Sequence, residues 1–97
     1  MIRHSVVFKL KCAAGSVEEE KFFDAVNHLA TIKGVENFTL YKQTSPKSSF
    51  DYGLFMDFSD RTAYDNYNSN PLHVAFVEKY WVDNVERFIE LDYEPVA

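Results

Sequence analysis

Three features of the 97-residue sequence predict an α+β fold: runs of alternating apolar residues, segments with helical periodicity and caps, and one tight hairpin connector. In chain order the predicted elements are β-α-β-β-α-(α)-β, which is the split βαβ, ferredoxin-like arrangement. Four strands then form one antiparallel sheet, and the helices cover one of its faces. We therefore expect residues 1–97 to form a single domain of this class.

The first strand is predicted over residues 2–10, where apolar and polar side chains alternate. The apolar face has one polar member, His4, and the opposite face carries mostly polar side chains. A lone histidine on such a face is more often a hydrogen-bonded core residue than a reactive group, so both interpretations stay open.

The first helix is predicted to begin at Ser16, because Ser16 and Glu19 have the spacing of a capping box. Apolar residues recur at helical spacing from Phe22 to Ile32, and Gly34 has the position of a C-terminal glycine. We therefore expect one helix with Lys33 in its last turn and Gly34 just beyond its end.

The rest of the chain predicts a hairpin, two helical segments and a last strand. Strands over residues 35–44 and 50–59 are separated by a short turn-rich connector, which makes them an antiparallel hairpin. Ser59 or Asp60 can cap a short helix, and Asn70 followed by a proline restarts a second one. That second helix carries a stripe of His73, Phe76, Val77, Tyr80 and Asn84, and the last strand covers residues 86–93.

The sheet face opposite the helices is also predicted to be apolar. It carries Val7 and Phe55, and we expect Thr39, Tyr41 and either Ile89 or Leu91 there too. A contiguous apolar patch usually marks an interaction surface, and a second copy of the chain about a two-fold axis would cover it. The alternative is a scatter of ordinary surface hydrophobic residues.

Composition excludes several classes of function. The 10 basic and 15 acidic residues give a net charge of −5, which argues against binding nucleic acid. A lone Cys12 allows neither an internal disulfide nor a multi-cysteine zinc site, and there is no run of about 18 apolar residues. We expect a soluble cytoplasmic domain, with no membrane partner, no cofactor and no metal.

Among the titratable residues, His73 has the most informative position. It is the third residue of a helix capped by Asn70, and a helix N-terminus disfavours a positive charge by about 0.3–1 kcal/mol. This favours a neutral imidazole, which can act as a base. Tyr64 and Tyr67 can each donate a hydrogen bond or simply pack, whereas His28 follows Asp24 at the spacing of a solvated pair.

Three stretches of the sequence resemble one family. The start MIRHSVVFKLK, the segment YNSNPLHVAF over residues 67–76 and the ending FIELDY over residues 88–93 resemble stress-responsive A/B barrel (Dabb) domains. The resemblance covers nearly the whole chain. It implies a homodimer in which two ferredoxin-like subunits form an α+β barrel. The family includes plant stress proteins and olivetolic acid cyclase-type enzymes, although most members have no established activity.

The resemblance also implies a site. In the cyclase, a histidine of the long helix is the base, helped by a first-strand histidine and a tyrosine, and His73, His4 and Tyr67 match these positions. Two residues depart from the family pattern: Asn70 replaces a histidine before the proline, and Tyr52 replaces a histidine on the third strand. The residues expected to line a ligand pocket are Tyr52, Phe22, Phe76 and Tyr80.

Three functions follow as hypotheses. The first is binding of a small apolar or aromatic ligand, with cofactor-independent chemistry in which His73 takes a proton, Tyr67 stabilises charge on oxygen and His4 orients or shares the proton. The second is a non-catalytic, stress-responsive dimer in which both histidines are structural. The third is a cofactor-independent monooxygenase, which rests on the shared fold alone. An open pocket lined by both histidines and Tyr67 would favour the first hypothesis over the second.

Overall fold

The computed structural model describes all residues, Met1–Ala97, and places four strands in one antiparallel sheet. The elements are, in chain order, β1 (Ile2–Leu10), α1 (Val17–His28) with a 3-10 turn (Leu29–Thr31), β2 (Glu36–Lys42), β3 (Tyr52–Phe58), α2 (Arg61–Ser69), α3 (Pro71–Phe76), a π-helical turn (Val77–Trp81), α4 (Val82–Asn84) and β4 (Val85–Tyr93). The sheet order is β2-β3-β1-β4, so β1 is central and β4 is an edge strand. The predicted ferredoxin-like element order is confirmed.

The helix caps predicted from the sequence are present. The Ser16 hydroxyl accepts a hydrogen bond from the Glu19 backbone N–H, while the Glu19 carboxylate accepts one from the Gly15 N–H. Asp60 caps α2, and Asn70 caps α3, with Pro71 as the first helical residue. None of these helices is long and apolar enough to cross a membrane. The cytoplasmic location stays a prediction.

The predicted end of the first helix is wrong. The first helix tightens into the 3-10 turn after His28, and Ile32 is already extended, so Gly34 is not its C-terminal glycine. Gly34 instead has a φ of 95° in the turn that leads to β2, closed by a hydrogen bond from the Val35 N–H to the Ile32 carbonyl. Positive φ suits a residue without Cβ, which explains a glycine at this position.

The hairpin strands are also shorter than predicted. β2 ends at Lys42 and β3 begins at Tyr52. Between them, the Gln43 side-chain amide donates to the carbonyls of Ser45 and Phe50, so these residues belong to the connecting loop rather than to the strands. On β2, the pairing with β3 shifts between Glu36 and Thr39, and Asn37 there has a φ of 51°. Asparagine tolerates this left-handed conformation better than most residues, and the result is a bulge that simple alternation does not predict.

The core lies between the inner face of the sheet and the helices, and it is rich in aromatic rings. Phe8 of β1 is fully buried, and its ring centroid lies 5.3–5.8 Å from those of Phe22, Tyr52 and Trp81. Tilted ring pairs at this separation add about 0.5–1.5 kcal/mol each to the free energy of burial. This cluster fixes the helices on the sheet at one end of β1, and His4 lies toward the other end of the strand.

The outer face of the sheet is apolar, as predicted. In the register, Val7 lies between Gly53 and Ile89, and Ser5 lies between Phe55 and Leu91. The sequence predicts either Ile89 or Leu91 on this face; both lie there, and each is about half exposed. Tyr41 on β2 and Tyr93 on β4 extend the exposed apolar surface to the two edges of the sheet. We call this surface the outer face and define it by Val7, Tyr41, Phe55, Ile89, Leu91 and Tyr93.

Candidate functional site

A cavity of about 270 Å³ lies between the inner face of the sheet and the corner where α2 meets α3. Its volume is near the lower end of the range of small-molecule sites, and an apolar cavity of about 150 Å³ already holds a benzene ring. Most of its wall is apolar. Its lining residues are His4, Val6, Leu29, Leu54, Tyr67, Asn68, His73, Phe76, Val77, Trp81, Phe88 and Glu90.

The structure brings together all three residues that the sequence predicts to be catalytic. The ring centroid of Tyr67 lies 4.5 Å from that of His73 and 6.2 Å from that of His4. β1 supplies one histidine, α2 supplies the tyrosine, and α3 supplies the second histidine after the Asn70–Pro71 corner. The corner matters because it turns the chain so that α2 and α3 face the same cavity.

His4 is held in place by a carboxylate and a phenol. Its Nδ1 lies 2.7 Å from Asp92 Oδ1, and since a carboxylate only accepts, Nδ1–H is the donor. The Tyr64 hydroxyl donates to the same carboxylate at 2.8 Å. Burial, and then the hydrogen bond to Asp92, raises the pKa of Tyr64 well above that of an exposed tyrosine. With Nδ1 occupied, Nε2 is the nitrogen left for a ligand, and His4 is both buried and hydrogen-bonded.

His73 is half-buried and has one ring nitrogen fixed. Its Nδ1 lies 3.1 Å from the backbone carbonyl of Asn68 and donates to it, which leaves the Nε2 lone pair as the basic position. Burial lowers the pKa of His73, with a smaller contribution from His4, while the Asn68 carbonyl and Glu90 oppose this. The ring is therefore biased toward the neutral form, as expected, although the main cause is desolvation rather than the helix N-terminus.

Tyr67 is only 2% exposed, and its hydroxyl makes no hydrogen bond within the chain; because no buried side-chain oxygen lacks a partner, this oxygen is open to the cavity. Burial raises the pKa of Tyr67, and Glu90 adds to the effect. A neutral phenol whose hydroxyl is open to a cavity and has no partner in the chain is a donor for a ligand oxygen. Tyr64, one turn earlier on α2, differs because its hydroxyl is used by Asp92.

Trp81 lines the cavity because of the π-helical turn. One residue of an α-helix spans about 100°, and a π turn holds about one residue more, so the following side chains rotate back by roughly that angle. The predicted stripe of His73, Phe76 and Tyr80 assumes α-helical spacing throughout. The π turn instead moves Trp81 inward, where its ring lies 5.3 Å from Phe88.

The four residues predicted to line a ligand pocket do not gather in one place. Phe76 lines the cavity. Phe22 is fully buried behind it, in the aromatic core. Tyr52 lies away from the cavity, where its hydroxyl donates to Glu19 at 2.7 Å, and burial together with Glu19 raises the pKa of Tyr52 to about 12.

Tyr80 lines a different depression, an open groove of about 400 Å³ between α1 and α3. This groove is larger than the cavity, but neither His4 nor His73 reaches it. Leu29 and Phe76 form the wall between the two. His28 lines the groove, whereas the cavity joins a ligand-sized space to His4, Tyr67 and His73 together.

Sequence reasoning missed Glu90 and Asp92, although a signal was present. Because side chains alternate along a strand, the outward direction of Ile89 and Leu91 places Glu90 and Asp92 on the inner face. The register pairs Asp92 with His4 and Glu90 with Val6. Acidic residues at inward positions of the last strand were thus the signal for a partner of the lone inward histidine.

No three histidine, cysteine or acidic side chains gather as a metal site requires.

The fold and the cavity define a ferredoxin-like α+β domain with a small-molecule-sized space between its sheet and helices. The chain belongs to the stress responsive A/B barrel domain (Dabb) family, whose sequence profile matches residues 2–95. The family resemblance seen in the sequence is thereby confirmed. No curated protein sequence matches the chain.

Solved structures agree with this assignment. A dabb family protein with a ferredoxin-like fold from Mesorhizobium loti is 48% identical, with a TM-score of 0.95 over 99% of this chain and 97% of that one. A dimeric ferredoxin-like protein of unknown function from Thermobifida fusca is 17% identical, with a TM-score of 0.80 over 97% and 90% of the two chains. A hydroxynitrile lyase from Passiflora edulis is 14% identical, with a TM-score of 0.85 over 99% and 94%. The last two are similar in fold only.

Proposed function

We propose that the protein binds a small, mostly apolar ligand with about one aromatic ring in the cavity, and that His73 acts on it as a general base. The observation that carries this proposal is the meeting of three groups at one cavity wall. These are the neutral-biased His73, the Tyr67 hydroxyl without a partner, and His4 held through its Nδ1. A packed core would not leave a ligand-sized space beside them.

The chemistry that suits this geometry is proton transfer next to a carbonyl group. His73 Nε2 removes a proton from the carbon beside the carbonyl, and the Tyr67 hydroxyl donates to the carbonyl oxygen as negative charge develops there. The charge of Glu90, which opposes the lowering of the pKa of His73 by burial, stabilises the imidazolium that this transfer forms. His73 then gives this proton back to the product, and His4, whose Nδ1–H is held by Asp92, can share it only by accepting at its free Nε2. A lyase shares this fold, which supports an enzyme without identifying the reaction.

The non-catalytic alternative is favoured by one specific observation. His4 is buried and hydrogen-bonded to Asp92, with Tyr64 on the same carboxylate, so this histidine has a structural role whether or not the protein is an enzyme. The alternative does not account for the unpaired Tyr67 hydroxyl. The monooxygenase alternative rests on shared fold, and no cavity residue favours it.

A fragment screen tests the proposed function. Small aromatic carbonyl compounds are titrated against the wild type, His73→Gln and His28→Gln, and binding is followed by the fluorescence of Trp81, the single tryptophan of the chain. His28 is an exposed histidine of α1 that does not line the cavity, so its variant is the matched control. We expect binding to weaken about tenfold in His73→Gln and to be unchanged in His28→Gln. Fragments that bind both variants and the wild type equally would contradict the site.

We also propose that the outer face pairs two copies of the chain. Its exposed side chains Tyr41, Ile89 and Leu91 form an apolar surface on a strand face, and relatives of this fold are dimeric. Ile89→Lys would place a charge within this apolar surface and is expected to shift sedimentation toward the monomer. Val82→Lys, on an exposed α4 residue, is the control. A wild type that is monomeric at micromolar concentration would contradict the proposal.

A further inference from the structure

Glu90 gives the cavity an electrostatic property that its histidines and tyrosine do not. It stands on the inner face of β4, at the rim of the cavity, with 52% of its side chain exposed. Its carboxylate makes no hydrogen bond, and the one basic nitrogen within 4.0 Å of it is His4 Nδ1, which lies 3.7 Å from Oε1. The neighbouring Asp92 differs, because both His4 and Tyr64 use its oxygens.

The rest of the cavity wall supplies no opposite charge. No lysine or arginine lines it, and its other polar members are His4, Tyr67, Asn68 and His73. A ligand in the cavity therefore meets one carboxylate and no fixed cation. In surroundings partly closed off from water, a unit charge about 4 Å away changes binding severalfold or more. The carboxylate should repel an anionic ligand and accept hydrogen bonds from a donor.

We propose that Glu90 is the specificity-determining residue of the cavity, selecting one-ring ligands that present a cationic or hydrogen-bond-donating group to the rim and rejecting anionic ones. This inference rests on the proposed function, because it concerns the same cavity. It adds the charge class of the ligand. A ligand placed this way would put its ring against Trp81 and Phe88 and its donor beside the Glu90 carboxylate.

Three probes of nearly equal size test the inference: benzylamine (cationic), benzyl alcohol (neutral) and benzoate (anionic). Each is titrated against the wild type with Trp81 fluorescence as the readout. Benzylamine and benzoate are also competed against benzyl alcohol, so that a probe bound in the groove between α1 and α3 is recognised by its failure to compete. We expect benzylamine to bind about tenfold more tightly than benzoate, with benzyl alcohol between them.

Variants of the rim separate the role of Glu90 from that of net charge. Glu90→Gln should reduce the benzylamine-to-benzoate preference to about twofold or less, and Glu90→Lys should reverse it. Glu86→Gln, which makes the same change in net charge on the same strand outside the cavity, should leave the preference intact. Both variants replace a half-exposed side chain, and a reversed preference in Glu90→Lys cannot arise from loss of folding, which would abolish the binding of all three probes.

The failures of the two proposals are distinguishable. If benzoate competes with benzyl alcohol as well as benzylamine does, or if the preference survives Glu90→Gln, the role of Glu90 is refuted while the cavity stands. If none of the three probes changes Trp81 fluorescence or competes, the proposed ligand site is contradicted, and the role of Glu90 falls with it.

Discussion

The two faces of the sheet each carry a hydrogen-bonded carboxylate, and the partners of these carboxylates differ in kind. On the outer side, Asp57 accepts from the Arg3 guanidinium at 2.8 and 3.1 Å and from the Asn37 amide at 2.9 Å. On the inner side, Asp92 accepts from His4 and Tyr64. Arginine and asparagine keep their protons at any physiological pH, whereas imidazole can lose or gain one.

This difference separates the hydrogen bonds of Asp57, which stabilise the fold, from those of Asp92, which hold a residue that can move protons. The Arg3 hydrogen bond is the main cause that lowers the pKa of Asp57, and Asn37 adds to it against the opposing effect of burial. The charge of Asp57 is therefore fixed near neutral pH. The inner carboxylate instead orients His4 beside a cavity that also holds Tyr67 and His73. The comparison predicts that the outer network governs stability and that the inner one governs binding.

The largest expected change in the free energy of unfolding comes from Asp57, on the outer side of the sheet. Asp57→Ala removes the acceptor of three hydrogen bonds, two of them from a charged donor, and should lower the free energy of unfolding by about 2–3 kcal/mol. Asp51→Ala is the matched control, because Asp51 is exposed and its only ion pair, to Lys9, is 3.9 Å long, so its loss should cost under about 0.5 kcal/mol. Urea unfolding at one protein concentration measures both. Equal losses of unfolding free energy in the two variants would contradict a stabilising role for the hydrogen bonds of Asp57.

The sequence predicts most of the fold because its signals are local. Ser16, Asp60 and Asn70 cap helices through bonds to residues two or three positions away. Likewise, the period-two pattern of β1 places His4 on the inner face without reference to any other strand. Errors occur where geometry departs from regular spacing, at the Asn37 bulge and in the π turn that moves Trp81 inward. Both departures change which way a side chain points while leaving the element in place.

The candidate site is predicted less completely because its partners are distant in the chain. His4 and Asp92 are 88 residues apart, and their contact depends on β4 pairing with β1 in one register. Tyr52 shows the reverse error, since its inward direction is right, but the cavity occupies only part of the inner face. Periodicity gives the face of a strand, whereas the position of a cavity along that face depends on how the helices pack.

A matched pair of tyrosines on α2 gives the next largest effect and sharpens the comparison. Tyr64→Phe removes a hydroxyl bonded to Asp92 and should lower the free energy of unfolding by about 1 kcal/mol. Tyr67→Phe removes a hydroxyl that faces the cavity and makes no hydrogen bond within the chain, so it should leave that free energy within about 0.5 kcal/mol, while weakening the binding of aromatic carbonyl fragments. Chemical unfolding and Trp81 fluorescence titrations measure the two quantities. The assignment of Tyr67 to the ligand would be wrong if its loss destabilised the fold as much as the loss of Tyr64.

The smallest expected effect is a difference between His73 and Asp57 in the pH range over which each changes the free energy of unfolding. Because the pKa of His73 is lowered from 6.5 by burial, the unfolded chain binds more protons than the folded one below about pH 6.5, so acidification through this range favours unfolding. The pKa of Asp57 is lowered from 3.8, so its contribution persists above that value and is lost below it. Unfolding free energies measured between pH 5.5 and 7.5 should therefore fall with acidification more steeply in the wild type than in His73→Gln, whereas Asp57→Asn should keep the wild-type slope in that window. If His73→Gln keeps the wild-type slope, protonation of His73 does not destabilise the folded protein. The cavity side of the sheet would then lack the pH-dependent charge that distinguishes it from the Asp57 side.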